Sequence, residues 1–104
     1  MTYEKALEAL SDRTRRAIVE RLRSGSCTVG ELAAGLPVSR PAVSQHLRVL
    51  ERAGIVRYRA SGTSKVYSLE HRGLRALRDW VDSFWGEVLT GFREVADADE
   101  EEET

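Results

Sequence analysis

Apolar residues in the first part of the chain recur at steps of three and four. Tyr3, Leu7 and Leu10 predict a short first helix, interrupted by Ser11-Asp12. Ile18, Val19 and Leu22 carry a second helix that ends at Ser24-Gly25. Thr28 followed three residues later by Glu31 has the form of a capping box and opens a third helix through Leu36, which Pro37 stops. Ser39 is the natural N-cap of a fourth helix, Pro41 is tolerated in its first turn, and Gly54 stands where a left-handed residue would close it.

The fourth helix has two chemically opposite faces. With Val43 at zero and about 100° per residue, Leu47, Leu50, Ala53 and His46 fall beside Val43. Pro41, Ser44, Gln45, Arg48 and Arg52 fall on the far side, a row of hydroxyl, amide and guanidinium groups with no carboxylate. Such groups match the hydrogen-bonding edges of bases and the oxygens of phosphates, whereas an ordinary solvated face mixes in Glu and Asp. His46 lies at the edge of the apolar stripe, a position for core packing or a buried hydrogen bond before a base contact.

After Gly54 the period shortens. Ile55–Arg59 and Lys65–Leu69 are β-rich runs around the small, polar Ala60-Ser61-Gly62-Thr63-Ser64, a hairpin pattern. From about Glu70 a long helix resumes. Leu74, Leu77, Val81, Phe84, Val88, Phe92 and Val95 recur at helical steps, and Trp80, Trp85 and Leu89 widen the stripe. The stripe spans roughly 30 Å at 1.5 Å per residue, longer than so small a core can cover. A second copy across a two-fold axis would bury it, together with Tyr3 and Leu7. The expected dimer interface is therefore Tyr3, Leu7, Leu77, Val81, Phe84, Trp85, Val88 and Phe92.

Composition changes this picture in one respect. The 16 basic and 17 acidic residues give a net charge of −1, but six of the acids stand among the last eight residues. Without that tail, 16 basic residues face 11 acidic ones, a local field suited to a polyanion. At 104 residues the chain reads as one domain over residues 1–96 with an acidic, unstructured tail at 97–104. There is no membrane-length apolar run and no signal-peptide pattern, and Cys27 is the single cysteine, so the expected compartment is the cytoplasm.

Four helices, the third and fourth joined by a tight turn, then a hairpin and a further helix follow the winged helix-turn-helix order. Four motifs make the likeness specific: Leu10-Ser11-Asp12-Arg13-Thr14-Arg15-Arg16-Ala17-Ile18, Val29-Gly30-Glu31-Leu32-Ala33, Ser39 through Leu50, and Ala53-Gly54-Ile55-Val56. In this order, over about residues 3–92, the chain resembles the ArsR-type (arsenical-repressor) family of bacterial transcriptional repressors. The resemblance implies a mainly helical, dimeric winged helix-turn-helix protein that binds palindromic operator DNA, often near its own promoter. The fourth helix is then the recognition helix. Ser44, Gln45 and Arg48 are the candidates for base contacts, and Ser39, Arg40 and Arg52 for phosphates. In the hairpin, Arg59, Thr63 and Lys65 are candidates for the DNA backbone. Arg57 has alternatives in Glu51 or the end of the fourth helix.

Many members of this family sense metals through paired cysteines on the third helix, and here Glu31-Leu32-Ala33-Ala34-Gly35 offers no thiolate. The last helix has Asp79, Asp82 and Glu87 but no histidine beyond His71 at its start, a poor zinc set. No metal site and no cofactor is expected, and the small-molecule effector is left unspecified. Cys27 lies just before a helix N-terminus, where the dipole favours a thiolate. With no resolving partner it reads more simply as a small residue near a turn. No catalytic constellation is present, so the chain is not expected to be an enzyme. The competing reading is a winged-helix module that binds a protein; loss of function on replacing Gln45 and Arg48 separates the two.

Overall fold

Each of the first four helices begins where a side-chain oxygen takes up a backbone N–H that the helix leaves free. Thr2 accepts from the Lys5 N–H at the start of α1 (Tyr3–Ala9), and Asp12 accepts from that of Arg15, at 2.9 Å, at the start of α2 (Arg13–Leu22). A two-residue strand, β1 (Cys27–Thr28), leads directly into α3 (Val29–Ala34). Its capping box is complete: Thr28 Oγ1 accepts from the Glu31 N–H, and the Glu31 carboxylate accepts from the Thr28 N–H, both at 3.2 Å. Ser39 caps α4 (Arg40–Arg52), with Pro41 in the first turn. Strands β2 (Val56–Ser61) and β3 (Ser64–Leu69) form the hairpin, and α5 (His71–Glu103) completes the chain. The computed structural model describes the backbone of residues 2–103 and the side chains of residues 2–98.

The end of α4 fixes the direction of everything after it. Gly54 takes φ +70°. Its N–H donates to the Glu51 carbonyl at 3.0 Å, and the Ile55 N–H donates to the Leu50 carbonyl at 2.9 Å. This is a Schellman closure, and the two side chains it brings together, Leu50 and Ile55, are both fully buried. The chain then turns into β2, which pairs with β3 from Val56↔Leu69 to Ser61↔Ser64 around a tip at Gly62-Thr63. β1 adds to the other side of β3, giving the antiparallel order β1-β3-β2.

The core lies where α2, α3 and α4 meet the base of this sheet. Ile18, Leu32, Val43, Leu47, Leu50, Ile55 and Val56 are its largest fully buried aliphatic members, and Ala6 and Ala9 bring α1 against it. Leu74 and Leu77 of α5 pack on its edge. The first turn of α5 is tied to the α4–β2 corner by two backbone bonds, Glu70 N–H to Ile55 carbonyl at 2.8 Å and Gly73 N–H to Gly54 carbonyl at 2.9 Å. A Cβ on Gly73 would overlap the Ala53 carbonyl oxygen and lie 3.0 Å from the Gly54 carbonyl carbon, so the approach admits no larger residue.

Several boundaries differ from the sequence expectation. α3 ends at Ala34 instead of Leu36, with Gly35 as its C-cap. β1 is an addition, since two residues carry no detectable period. The strands reach further, leaving a two-residue tip where five residues were expected. The acidic segment read as a separate unstructured tail is continuous with α5, whose backbone is helical to Glu103. The side chains of residues 99–104, most of that segment, lie outside the described residues.

At 33 residues α5 is about 50 Å long, which accounts for the 73 Å long dimension of the molecule. Its N-terminal part is covered by α1: the Tyr3 ring stacks on Trp80 with centroids 4.6 Å apart, and Phe84 meets Trp80 edge-on. Beyond, Val81, Phe84, Trp85, Val88, Leu89, Phe92 and Val95 are all at least 40% exposed, as is Leu7 on α1. Of the residues expected at an interface between copies, Leu77 is half-buried at the edge of its own core and Tyr3 is half-buried against Trp80. The other six present free apolar surface.

Candidate nucleic-acid interface

The apolar stripe of α4 faces inward as the periodicity requires, with Val43, Leu47 and Leu50 fully buried. The opposite face is therefore held outward by packing. Gln45 and Arg48 are exposed and Ser44 is half-buried. Gln45 and Arg48 are also close to each other, with Arg48 Nη1 donating to Gln45 Oε1 at 3.5 Å. Such a pair, one helical turn apart, can present an amide and a guanidinium to adjacent base edges.

Beside this face lies a groove of about 650 Å³ between α4, the start of α3 and the hairpin. Arg40, Ser44, Arg48 and Glu51 of α4 form one wall, and Tyr58, Thr63, Ser64, Lys65 and Tyr67 of the hairpin form the other. Three cations thus face one carboxylate. The Arg40 guanidinium lies over Gly30 at the start of α3, where a Cβ would stand 2.9 Å from its Nη2. Lys65 extends over the Tyr58 ring, its ammonium 4.3 Å from the centroid, so the hairpin holds that charge in place by a cation–π contact.

The structure sorts the other expected contacts. Ser39 is exposed at the entrance to α4, with its hydroxyl capping the helix. Thr63 and Lys65 line the groove, but Arg59 does not. Arg59 pairs with Val66 and Lys65 with Ala60, so strand alternation puts the two cations on opposite faces of the hairpin. Arg57, opposite Ser68, shares the outer face with Arg59. No ion pair joins it to Glu51 among the described residues. Arg52 lies on the shoulder of α4 nearest α1, in a shallow cleft with Lys5, Glu8 and Val49.

His46 is used for structure. Its Nδ1 is 3.5 Å from Arg15 Nη1 and 3.9 Å from the Asp12 carboxylate. Arg15 in turn donates from Nε to the Ala9 carbonyl at 2.6 Å and from Nη2 to the Glu8 carbonyl at 3.3 Å, closing the C-terminal end of α1. One guanidinium therefore links α1, the N-terminus of α2 and the middle of α4. The Arg15 backbone N–H holds the Asp12 carboxyl below the usual carboxylate range, with the Arg15 guanidinium and His46 adding to the effect. Cys27 is fully buried, its thiol directed at the Gly25 carbonyl at 3.6 Å, so it packs as a small apolar residue.

The sequence reading missed Tyr67. It is 7% exposed and forms the floor of the groove, a placement that depends on the hairpin register and on α4 together. Burial pushes its phenol up, against the pull of nearby Lys65 and with Glu51 adding to the rise, so the group keeps its proton and remains a donor.

The comparisons with known proteins agree with this geometry. Residues 10–59 match a family model described as a helix-turn-helix domain. The chain is 55% identical over 96 residues to the HTH-type transcriptional regulator Rv2034 of Mycobacterium tuberculosis, covering 92% of this chain and 90% of that one. It is 34% identical over 77 residues to the transcriptional repressor SdpR of Bacillus subtilis, covering 74% and 86%. A crystal structure described as a possible transcriptional regulator for arsenical resistance superposes with TM-score 0.72 at 48% identity, covering 89% of this chain and 95% of the other. That of an ArsR family transcriptional regulator superposes with TM-score 0.73 at 30% identity, covering 80% and 86%. With a capped α4 carrying the exposed Gln45–Arg48 pair beside a basic hairpin groove, the chain belongs to the ArsR family of winged helix-turn-helix regulators: it is a DNA-binding transcriptional regulator and not an enzyme.

Proposed function

We propose that the protein works as a homodimeric repressor that places one α4 in each of two successive major grooves of an inverted repeat. The outer face of α4, where exposed Gln45 and Arg48 stand with a single acid, Glu51, at the groove edge, carries this reading. Gln45 suits adenine and Arg48 suits guanine, each good pair giving roughly 1–3 kcal/mol of discrimination, with Ser44 beside them. Ser39 and Arg40 at the start of α4, and Thr63 and Lys65 on the hairpin, meet the backbone. Arg52 and Arg59, on the shoulder of α4 and the outer face of the hairpin, reach phosphates further along the duplex. Exposed apolar residues on α5 and Leu7 on α1 support the dimer, because so much uncovered aromatic and aliphatic surface in one stripe is characteristic of an interaction face. A two-fold would set the two α4 helices about 34 Å apart, one turn of B-DNA, and so demand a palindrome. Such a dimer seated over a promoter excludes the polymerase.

The test is selection from a random duplex pool, with binding of the winners followed over a range of salt for wild type and for Gln45→Ala/Arg48→Ala. The expected result is an enriched inverted repeat with a steep negative salt slope, lost in the double variant. Absence of enrichment, or equal binding by both proteins, overturns base readout by α4.

A further inference from the structure

Tyr67 sits at the bottom of the groove with its hydroxyl unused. Its backbone is paired on both sides, to Cys27 in β1 and to Tyr58 in β2, and its ring lies 5.6 Å from that of Tyr58, tilted by 47°. The residue is more than nine-tenths buried, yet among the described residues its hydroxyl makes no hydrogen bond and no fully buried polar side-chain atom is left without a partner. The O–H therefore opens into the groove it floors. Lys65 from the hairpin, Glu51 and Arg48 from α4, and the Tyr58 hydroxyl are the polar groups that bear on it.

We infer that Tyr67 is a DNA-backbone contact: its phenolic O–H donates to a non-bridging oxygen of one phosphate per half-site, seated in the groove between α4 and the hairpin. This rests on the reading that α4 enters the major groove. A duplex strand bordering that groove then passes between the helix and the hairpin beside it. The occupant must be an anion, because Arg40, Arg48 and Lys65 outnumber Glu51, and the remaining wall is hydroxyl: Thr28, Ser44, Thr63 and Ser64. Lys65 is already held over the Tyr58 ring, so charge and donor are in place before DNA arrives. A buried ring on a doubly paired strand loses little freedom on binding, which makes its single hydrogen bond efficient. Phosphates are common to all sequences, so this contact raises affinity without choosing bases.

Tyr67→Phe keeps the ring and removes only the donor. By fluorescence anisotropy it is expected to weaken dimer binding about a hundredfold, which is about tenfold per half-site, the lower end for a hydrogen bond to a charged group, on the selected repeat and on random duplex alike. The specificity ratio and the melting temperature stay unchanged. A scan of single methylphosphonate substitutions identifies the phosphate: at one position per half-site wild type loses affinity and Tyr67→Phe does not. Wild-type affinity in Tyr67→Phe, or equal sensitivity of both proteins at every methylphosphonate, overturns the contact. Failure of the underlying reading looks different: wild type then enriches no sequence and Gln45→Ala/Arg48→Ala has no effect. The Tyr67 contact is judged in that case by the random-duplex affinities alone.

Discussion

Gly73→Ala sets a local gain against a tertiary loss. Alanine in a helix is favoured over glycine by about 0.8–1 kcal/mol, so position 73, in the first turn of α5, would on propensity alone be improved. The structure reverses the sign. The new Cβ would overlap the Ala53 carbonyl oxygen and press on the Gly54 and Ala53 carbonyl carbons at 3.0 and 3.1 Å. All three are backbone atoms of the Schellman closure, so no side chain can swing aside. The helix start must shift outward, straining or breaking the 2.9 Å bond from the Gly73 N–H to the Gly54 carbonyl. Overpacking of this kind costs about 1–3 kcal/mol and the hydrogen bond about 0.5–1.5 kcal/mol. Less the propensity gain, the net is a loss of about 0.5–3.5 kcal/mol, or a melting temperature lower by roughly 2–28 °C for a chain of this size. The control is Gly86→Ala in the same helix, where a Cβ meets nothing within 4 Å and the residue lies opposite the apolar arc. It is expected to gain up to about 1 kcal/mol. Urea denaturation of both variants at one protein concentration reads the difference. If Gly73→Ala is as stable as wild type, the close approach of α5 to the α4–β2 corner is not as described.

Val88→Glu places a charge in the exposed arc of α5 without touching the core. Sedimentation equilibrium should show dimer association weakened at least about thirtyfold, the scale of a central interface residue, with palindrome affinity falling in step. An unchanged dimer constant would remove this face from the interface. Asp12 has a folded-state pKa depressed by the Arg15 N–H, so its contribution is present above the unfolded value of about 4 and lost as pH falls through the folded one. The stability gap between wild type and Asp12→Asn should therefore be constant near neutrality and close below about pH 4; a gap that persists at lower pH contradicts the assignment. Ser39→Ala removes the α4 cap and should cost about 1 kcal/mol in urea denaturation, an effect absent in Ser26→Ala, an exposed serine between α2 and β1 that caps no helix.

Local chemistry made much of the fold legible. Thr28–Glu31, Ser39 with Pro41, and Gly54 each mark an end of a helix through bonds made within a few residues. What escaped depends on register or on distant neighbours. Arg59 and Lys65 look equivalent until the turn is known to be Gly62-Thr63; then the period of two separates them. Gly73 is an ordinary helical glycine in sequence, and only the backbone of Ala53 and Gly54 makes it obligatory. Tyr67 reads as a strand aromatic, and its role as a groove floor needs α4 in place. The outer face of α4 was readable because a single helix carries it entire.

The reading helix has no freedom of its own. Arg15 fastens its middle to the end of α1 through His46, and Gly73 fastens its C-terminal turn to the root of α5. The first of these ends on α1 and the second belongs to α5, the two elements that carry the uncovered apolar seam. A wedge, a crossing-angle change or an altered side chain at that seam is therefore delivered to α4 as a rigid displacement, magnified by a rod about 50 Å long. No hinge inside the protomer is required, and in the proposed dimer the span between half-sites is written at the seam and not at the surface proposed to touch DNA.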